Sequence, residues 1–376
     1  MARRLTTKIR PFEDADLPDI LRIYEETWGE PPTARMAERW DWLHTQNPAA
    51  ALAPAKRFVG VQDGKVIAYT GSFPVRFKLG ADEPVIYMEG DFIAEESART
   101  SDPTMALRIQ RAAVEVEGHL LANSMDYTEP QMRLRRRLDH KFINMRPSCF
   151  RIYRTASLLE GFVEGRKLPG FLGRGPLAAL MSGTADLGLK LVNAWTAPKL
   201  DNRFKIERLE AADERLDRMW ARLKDKFVIA PISDRAFVQW RYFEDPGFKD
   251  PVFAITTEDG EIAGYVVART SVHDQLDITR GRIIDMFCDP TDPGAAASLT
   301  RAALDYFEQS NPHIVGCRGL NPKIRKTVKK SFYLNRGGKE EPALMLWRGA
   351  PEMAKTVYSP ASWHMTLALT EPSFHP

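Results

Sequence analysis

The chain has 376 residues, 44% of them hydrophobic and 27% charged, with a formal net charge of +3. That composition excludes a disordered or collagen-like chain, and the charge is too small to argue for nucleic acid by itself. No stretch reaches about 18 unbroken apolar residues, so a membrane-spanning helix is not expected.

The N-terminal segment Met1 to Arg10 lacks the apolar core of a signal peptide. Cys149, Cys288 and Cys317 are odd in number and lack CxxC spacing. They read as buried free thiols in a reducing compartment, and a cytoplasmic location is expected. The seven histidines are scattered without HExxH or another ligand pair, so no metal is expected.

Taken in order, Lys8 to Phe12 reads as a strand. Asp14 to Tyr24 reads as a capped helix with Leu17, Ile20, Leu21 and Tyr24 on one face. Phe58 to Tyr69 is a hairpin pattern around Asp63-Gly64. Tyr87 to Ala94 reads as a short buried strand, followed by a loop. Asp102 and Pro103 then open a helix carrying Ala106, Ile109, Ala113, Val116 and Leu120 at helical spacing. Leu120 to Tyr127 reads as another strand, and Gln131 to Lys141 as a basic helix.

Residues 155–202 are rich in Gly, Pro, Leu and Ala and read as a linker with one or two packed helices. The alternative reading is peripheral membrane contact through 166–195. There Phe171, Leu172, Leu189 and Trp195 sit among Arg166, Lys167, Arg174 and Lys190. Trp363 to Thr370 alternates like a final strand.

The same blocks return about 190 residues on. Trp42 to Pro48 faces Trp240 to Pro246 at equal spacing, and Phe58 to Tyr69 faces Phe253 to Tyr265. Ser101 to Ala106 faces Thr291 to Ala296, Arg111 to Ala113 faces Arg301 to Ala303, and Leu138 to Phe142 faces Val328 to Phe332. A repeat of domain size fixes the architecture: two α/β domains with mixed sheets, at 1–154 and 203–376, joined by 155–202.

Each copy resembles the GNAT acyltransferase superfamily in its order of strands and helices. The chain is similar to its tandem members, such as mycothiol synthase, the Fem-type aminoacyl transferases and exopolysaccharide-associated GNAT proteins. The resemblance implies acetyl-CoA or another acyl-CoA as donor, and an amine-bearing small molecule or sugar as acceptor. It places the cofactor loop at Arg99 to Thr104, with Arg99, Thr100, Ser101 and Thr104 as phosphate ligands. The motif's glycines are replaced there by Asp102 and Thr104. In the second copy the loop keeps Gly294 but carries Asp289 and Asp292 and no arginine, so the first copy is favoured for any coenzyme.

The resemblance also implies that backbone N–H groups near Phe92, Ile93 and Ala94 polarise the thioester carbonyl. Glu89 and Asp91 are the candidate bases. Simple alternation puts them on one face of the strand, with Met88, Gly90 and Phe92 on the other. Desolvation beside Tyr87 and Phe92 should raise their pKa. The family's tyrosine acid is missing, its place being held by Arg137 and Thr327, which leaves Tyr127 as the substitute. The basic runs from Arg133 to Lys141 and Lys323 to Lys330 are either solvated faces or anion sites. Double-stranded nucleic acid is not expected, and nothing identifies tRNA specifically. Two further readings stand beside acyl transfer: a Fem-like aminoacyl transferase and a non-catalytic binding protein.

Overall fold

The computed structural model describes residues 7–115, 119–121, 129–145, 148–155, 176–273, 278–335 and 341–369. The first unit contains β1 (Lys8–Pro11), α1 (Leu17–Trp28), α2 (Glu30–His44), β2 (Lys56–Gln62), β3 (Lys65–Leu79) and β4 (Val85–Ala94). Next come α3 (Glu96–Ser101), α4 (Met105–Val114), β5 (His119–Leu121), α5 (Glu129–Arg136), β6 (Lys141–Met145) and β7 (Cys149–Ile152). Asp63 and Gly64, with φ of 50° and 82°, form the tight turn that joins β2 to β3. The sheet runs β1-β2-β3-β4-β5, antiparallel except for the last pair.

After α6 (Pro176–Thr196) the pattern repeats with β8 (Lys205–Leu209), α7 (Glu214–Leu223), β9 (Ile229–Pro231), α8 (Arg235–Val238), β10 (Val252–Thr256), β11 (Ile262–His273) and β12 (Ile278–Cys288). The chain continues through α9 (Pro293–Ser310), β13 (Ile314–Cys317), α10 (Pro322–Val328), β14 (Leu334–Asn335), β15 (Glu341–Met345) and α11 (Ala354–Val357). Strands β8-β10-β11-β12-β13 repeat the first sheet's order and directions, with the parallel pair again last. The α7 helix shows how local sequence sets this packing. Asp213 caps it by accepting from Arg215 N, and Leu216, Met219, Trp220 and Leu223 form its buried stripe. Each such side chain contributes roughly 1.5–3 kcal/mol on burial.

The two units are interlocked. Strand β7 leaves the first unit to pair with β13 and β14 in the second sheet, and β9 returns to pair with Phe77–Leu79 at the far end of β3. Between them, Trp42 and Trp240 stack at 4.8 Å. Each indole N–H donates to the other's carbonyl at 2.9 Å. The residues matched by the sequence repeat thus meet each other across a pseudo-twofold axis. Arg39 and Arg241 flank them, both donating to Asp245.

Three expectations change, and a fourth is described only in part. The basic helix stops at Arg136, and Lys141 already begins β6. Arg99 to Ser101 belong to the helix α3 rather than to a loop. Residues 363–369, the described part of the expected final strand, do not form one: they make one bridge, Ile229 to Trp363, then a 3-10 turn at Leu367–Leu369. Of the strand expected at Leu120 to Tyr127, only His119–Leu121 is described; the rest lies outside the described residues. All three cysteines are buried and free.

Candidate active site

The site is built on β4. Its ladder with β3 slips between Ser72–Glu89 and Thr70–Phe92, so two residues, Gly90 and Asp91, oppose Gly71. A bulge of this kind turns the strand over. Ile86 and Met88 point into the main core before it, and Ile93 does so after it, while Phe92 and Ala94 join the opposite cluster with Ala68 and Ile109. The simple alternation of the sequence reading is therefore corrected: Phe92 does not share a face with Met88. Phe92, Ile93 and Ala94 pair with Thr70, Tyr69 and Ala68, and an antiparallel ladder turns alternate N–H groups away from the partner strand. Among the described residues β5 covers the other edge of β4 only at Ile86–Met88.

Glu89 lies just before the bulge, almost fully buried. Its carboxylate is 2.5 Å from Arg135 Nη1 of α5 and 3.2 Å from His140 Nε2. Burial pushes its pKa up, but the Arg135 and His140 contacts outweigh burial and hold it below the usual value. The expectation of a raised pKa is corrected for this residue, because desolvation is overcome by a fixed cation. His140 Nδ1 is buried and finds no hydrogen-bond partner among the described residues. Sequence reasoning missed both partners: Arg135 was one of a basic run and His140 one of seven scattered histidines. The available signal was Leu138, three residues beyond Arg135, which marks that face of the segment as buried.

The loops expected to cradle phosphate are occupied by the protein itself. Asp102 Oδ2 accepts from Thr7 N at 3.1 Å and from Arg108 Nη2, and its Oδ1 accepts from Thr104 N at 3.2 Å and Thr104 Oγ1 at 2.8 Å. Burial works against this charge, yet the Thr104 and Thr7 hydrogen bonds and the Arg108 charge hold the carboxyl far below its usual range. Thr100 Oγ1 donates to Ser97 O and Ser101 Oγ to Ala98 O, so all three hydroxyl protons of the expected phosphate ligands are spent internally. In the second unit Asp292 Oδ1 takes the N–H groups of Gly294 and Ala295 at 2.9 and 3.2 Å, and Arg203 forks onto the same carboxylate. A diphosphate at either helix start would meet a fixed carboxylate, so neither start fits the glycine-cradle mode of coenzyme binding. The side chains of Asp91 and Arg99, and all of Tyr127, lie outside the described residues.

In each unit the two parallel strands pair over only part of their length among the described residues. In the second, β12 continues past its last pair with β13, Ile283–Cys317. The C-terminal segment closes that gap. Met365 O accepts from Leu320 N at 2.7 Å, His364 Nδ1 from Asn321 N at 3.1 Å, and Ala368 O from Arg241 Nε at 3.1 Å. Beneath it, Asp285 is buried and accepts from both Tyr242 and Tyr265 hydroxyls at 2.7 Å. Burial first, and the adjacent carboxylate second, raise both tyrosines well above their ordinary value, so they remain neutral donors.

No protein-family model and no curated protein matches the sequence. Solved structures do. A conserved protein from Enterococcus faecalis V583, described as a probable N-acyltransferase, matches with TM-score 0.55 at 9% identity, over 91% of this chain and 71% of that one. Saccharomyces cerevisiae N-myristoyltransferase with bound myristoyl-CoA matches with TM-score 0.52 at 12% identity, over 92% and 84%. A GCN5-related N-acetyltransferase from Anabaena variabilis matches with TM-score 0.51 at 9% identity, over 90% and 72%. The chain therefore has the fold of the GNAT acyltransferases. It carries that fold twice, as tandem units joined through a helix.

Proposed function

We propose that the chain is a GNAT-type acyltransferase working in its first unit, moving an acyl group from acetyl-CoA or another acyl-CoA to the amine of a small molecule or sugar. The observation that carries this reading is the asymmetry between the units. Both central strands carry the same one-residue bulge, but the gap beside it in the second unit is filled by the C-terminal segment, whereas the first unit has a buried Glu89–Arg135–His140 cluster at the matching place. In the reaction a neutral amine attacks the thioester carbonyl, the C–N bond forms, the C–S bond breaks, and the amine proton passes to a base. Glu89, held ionised by Arg135, is a weak base suited to fixing His140 and α5. Asp91, whose peptide lies in the bulge, is the carboxylate to test as base. With both helix starts filled, the donor's phosphates have the exposed Arg133 and Arg136 of α5, and Arg137 just beyond it, as cations.

A second reading, a non-catalytic binding protein, is favoured by the aspartates that fill both phosphate loops. Release of free thiol from acetyl-CoA and a long-chain acyl-CoA, over a panel of amines and amino sugars, separates the two. Amine-dependent release supports transfer. Binding without release from any donor favours the second reading.

A further inference from the structure

The α6 helix is inside out. The side that packs on the protein is polar. Asp186 Oδ1 accepts from Thr155 N and Oγ1, both at 2.8 Å. Asn193 is buried, donating to Ile152 O at 2.9 Å while its own carbonyl accepts from Arg151 Nη2 at 2.6 Å. Thr196 Oγ1 accepts from Arg151 Nη1 at 2.9 Å. These residues recur at i, i+7 and i+10, one stripe of the helix.

The opposite stripe is apolar and, among the described residues, uncovered. Leu187, Leu191 and Trp195, at i, i+4 and i+8, are 64%, 68% and 87% exposed, with Val192 beside them at 40%. A surface helix of a globular protein normally shows the reverse arrangement. An apolar stripe exposed while the polar residues are spent on anchoring marks a surface with an external partner. The charge on this stretch has one sign. From Leu187 to Leu200 the ionisable side chains are Lys190 and Lys199, both exposed, with no carboxylate. An acidic protein groove would satisfy the lysines, but a tryptophan at the end of an apolar stripe, with flexible lysines beside it, is the arrangement of an interfacial helix. No helix among the described residues is long and apolar enough to cross a membrane.

We propose that α6 lies flat on an anionic lipid surface, with Leu187, Leu191 and Trp195 in the headgroup layer and Lys190 and Lys199 on the lipid phosphates. The inference does not depend on acyl transfer. The test is co-sedimentation of the full chain with vesicles of phosphatidylcholine alone or mixed with phosphatidylglycerol. The chain should sediment with the mixed vesicles, and Leu187→Glu with Leu191→Glu should weaken binding by about tenfold or more. The urea midpoint should stay unchanged, since both leucines are exposed. Trp195→Ala provides a second variant that keeps the charge. Absence of sedimentation by the wild type would overturn the proposal. Equal binding by the glutamate variant, or equal binding to both vesicle types, would do the same. A wild-type dimer that dissociates on Leu187→Glu would assign the stripe to a second copy instead.

Discussion

Glu89→Gln keeps the side chain's shape and removes its charge. The carboxylate lies 2.5 Å from Arg135 and 3.2 Å from His140, and the Glu89 and Arg135 side chains are 7% and 11% exposed. A neutral amide can satisfy part of the hydrogen bonding but leaves the guanidinium without a counter-charge. Removing one member of a buried pair costs about 3–5 kcal/mol, and the slight exposure of Arg135 argues for the lower end, about 3 kcal/mol. Urea unfolding followed by tryptophan fluorescence should show a lower midpoint with an unchanged slope. Adding Arg135→Met should restore part of the loss, because the stranded charge goes with it. A loss below about 1 kcal/mol, the size of an exposed pair, would refute the reasoning. Rate separates clamp from catalyst. A fall of roughly 10²–10⁴ in kcat with stability unchanged would make Glu89 the base after all.

Three further outcomes are expected. Burial first, with the Arg57 charge added, lowers His44 to about 3, and burial lowers His364 to about 4 despite Asp285. Both folded values lie below the ordinary 6.5, so the unfolded chain takes protons first as pH falls. Stability is then full above that value and drops by about 3 kcal/mol per histidine on reaching pH 4. Urea titrations across this range check it, and His364→Phe should flatten part of the slope. Trp42→Ala removes a fully buried indole and leaves the Trp240 carbonyl without its donor. It should cost about 5 kcal/mol in denaturant titrations, whereas Trp42→Phe, keeping the ring but not the N–H, should cost less than half of that. Gly319 has φ +72°, and a Cβ there would come within 2.0 Å of Met365 O. Gly319→Ala should therefore cost about 2–4 kcal/mol and release the C-terminal segment to limited proteolysis, with trimming no faster than wild type as the contrary result.

Much of the fold was legible because its signals are local. Asp63-Gly64 specifies a turn through backbone conformation alone, and Trp42 to Pro48 repeats as Trp240 to Pro246 because the two segments face each other across an axis. The aspartates at both helix starts were also visible, and their meaning, a filled anion site, follows from hydrogen-bonding rules. The turnover of β4 was harder, since Gly71 and Gly90 hint at a bulge but do not say which residues it reverses. The path of β7 into the second sheet and the closure by His364 to Leu369 depend on contacts between residues far apart in sequence. Local patterns carry no record of such pairings. The inward polar stripe of α6 was hidden for the same reason: Asn193 and Asp186 look solvent-facing until Ile152 and Thr155 arrive from the other end of the linker.

The central claim, that the working site is in the first unit, is tested most directly by amide hydrogen exchange of the intact chain with and without a long-chain acyl-CoA. The account predicts new protection at Glu89 to Ala94 of β4, and none at Ile284 to Cys288 of β12, where the C-terminal segment already packs. Protection confined to β12, or no protection in either strand at saturating donor, would contradict it.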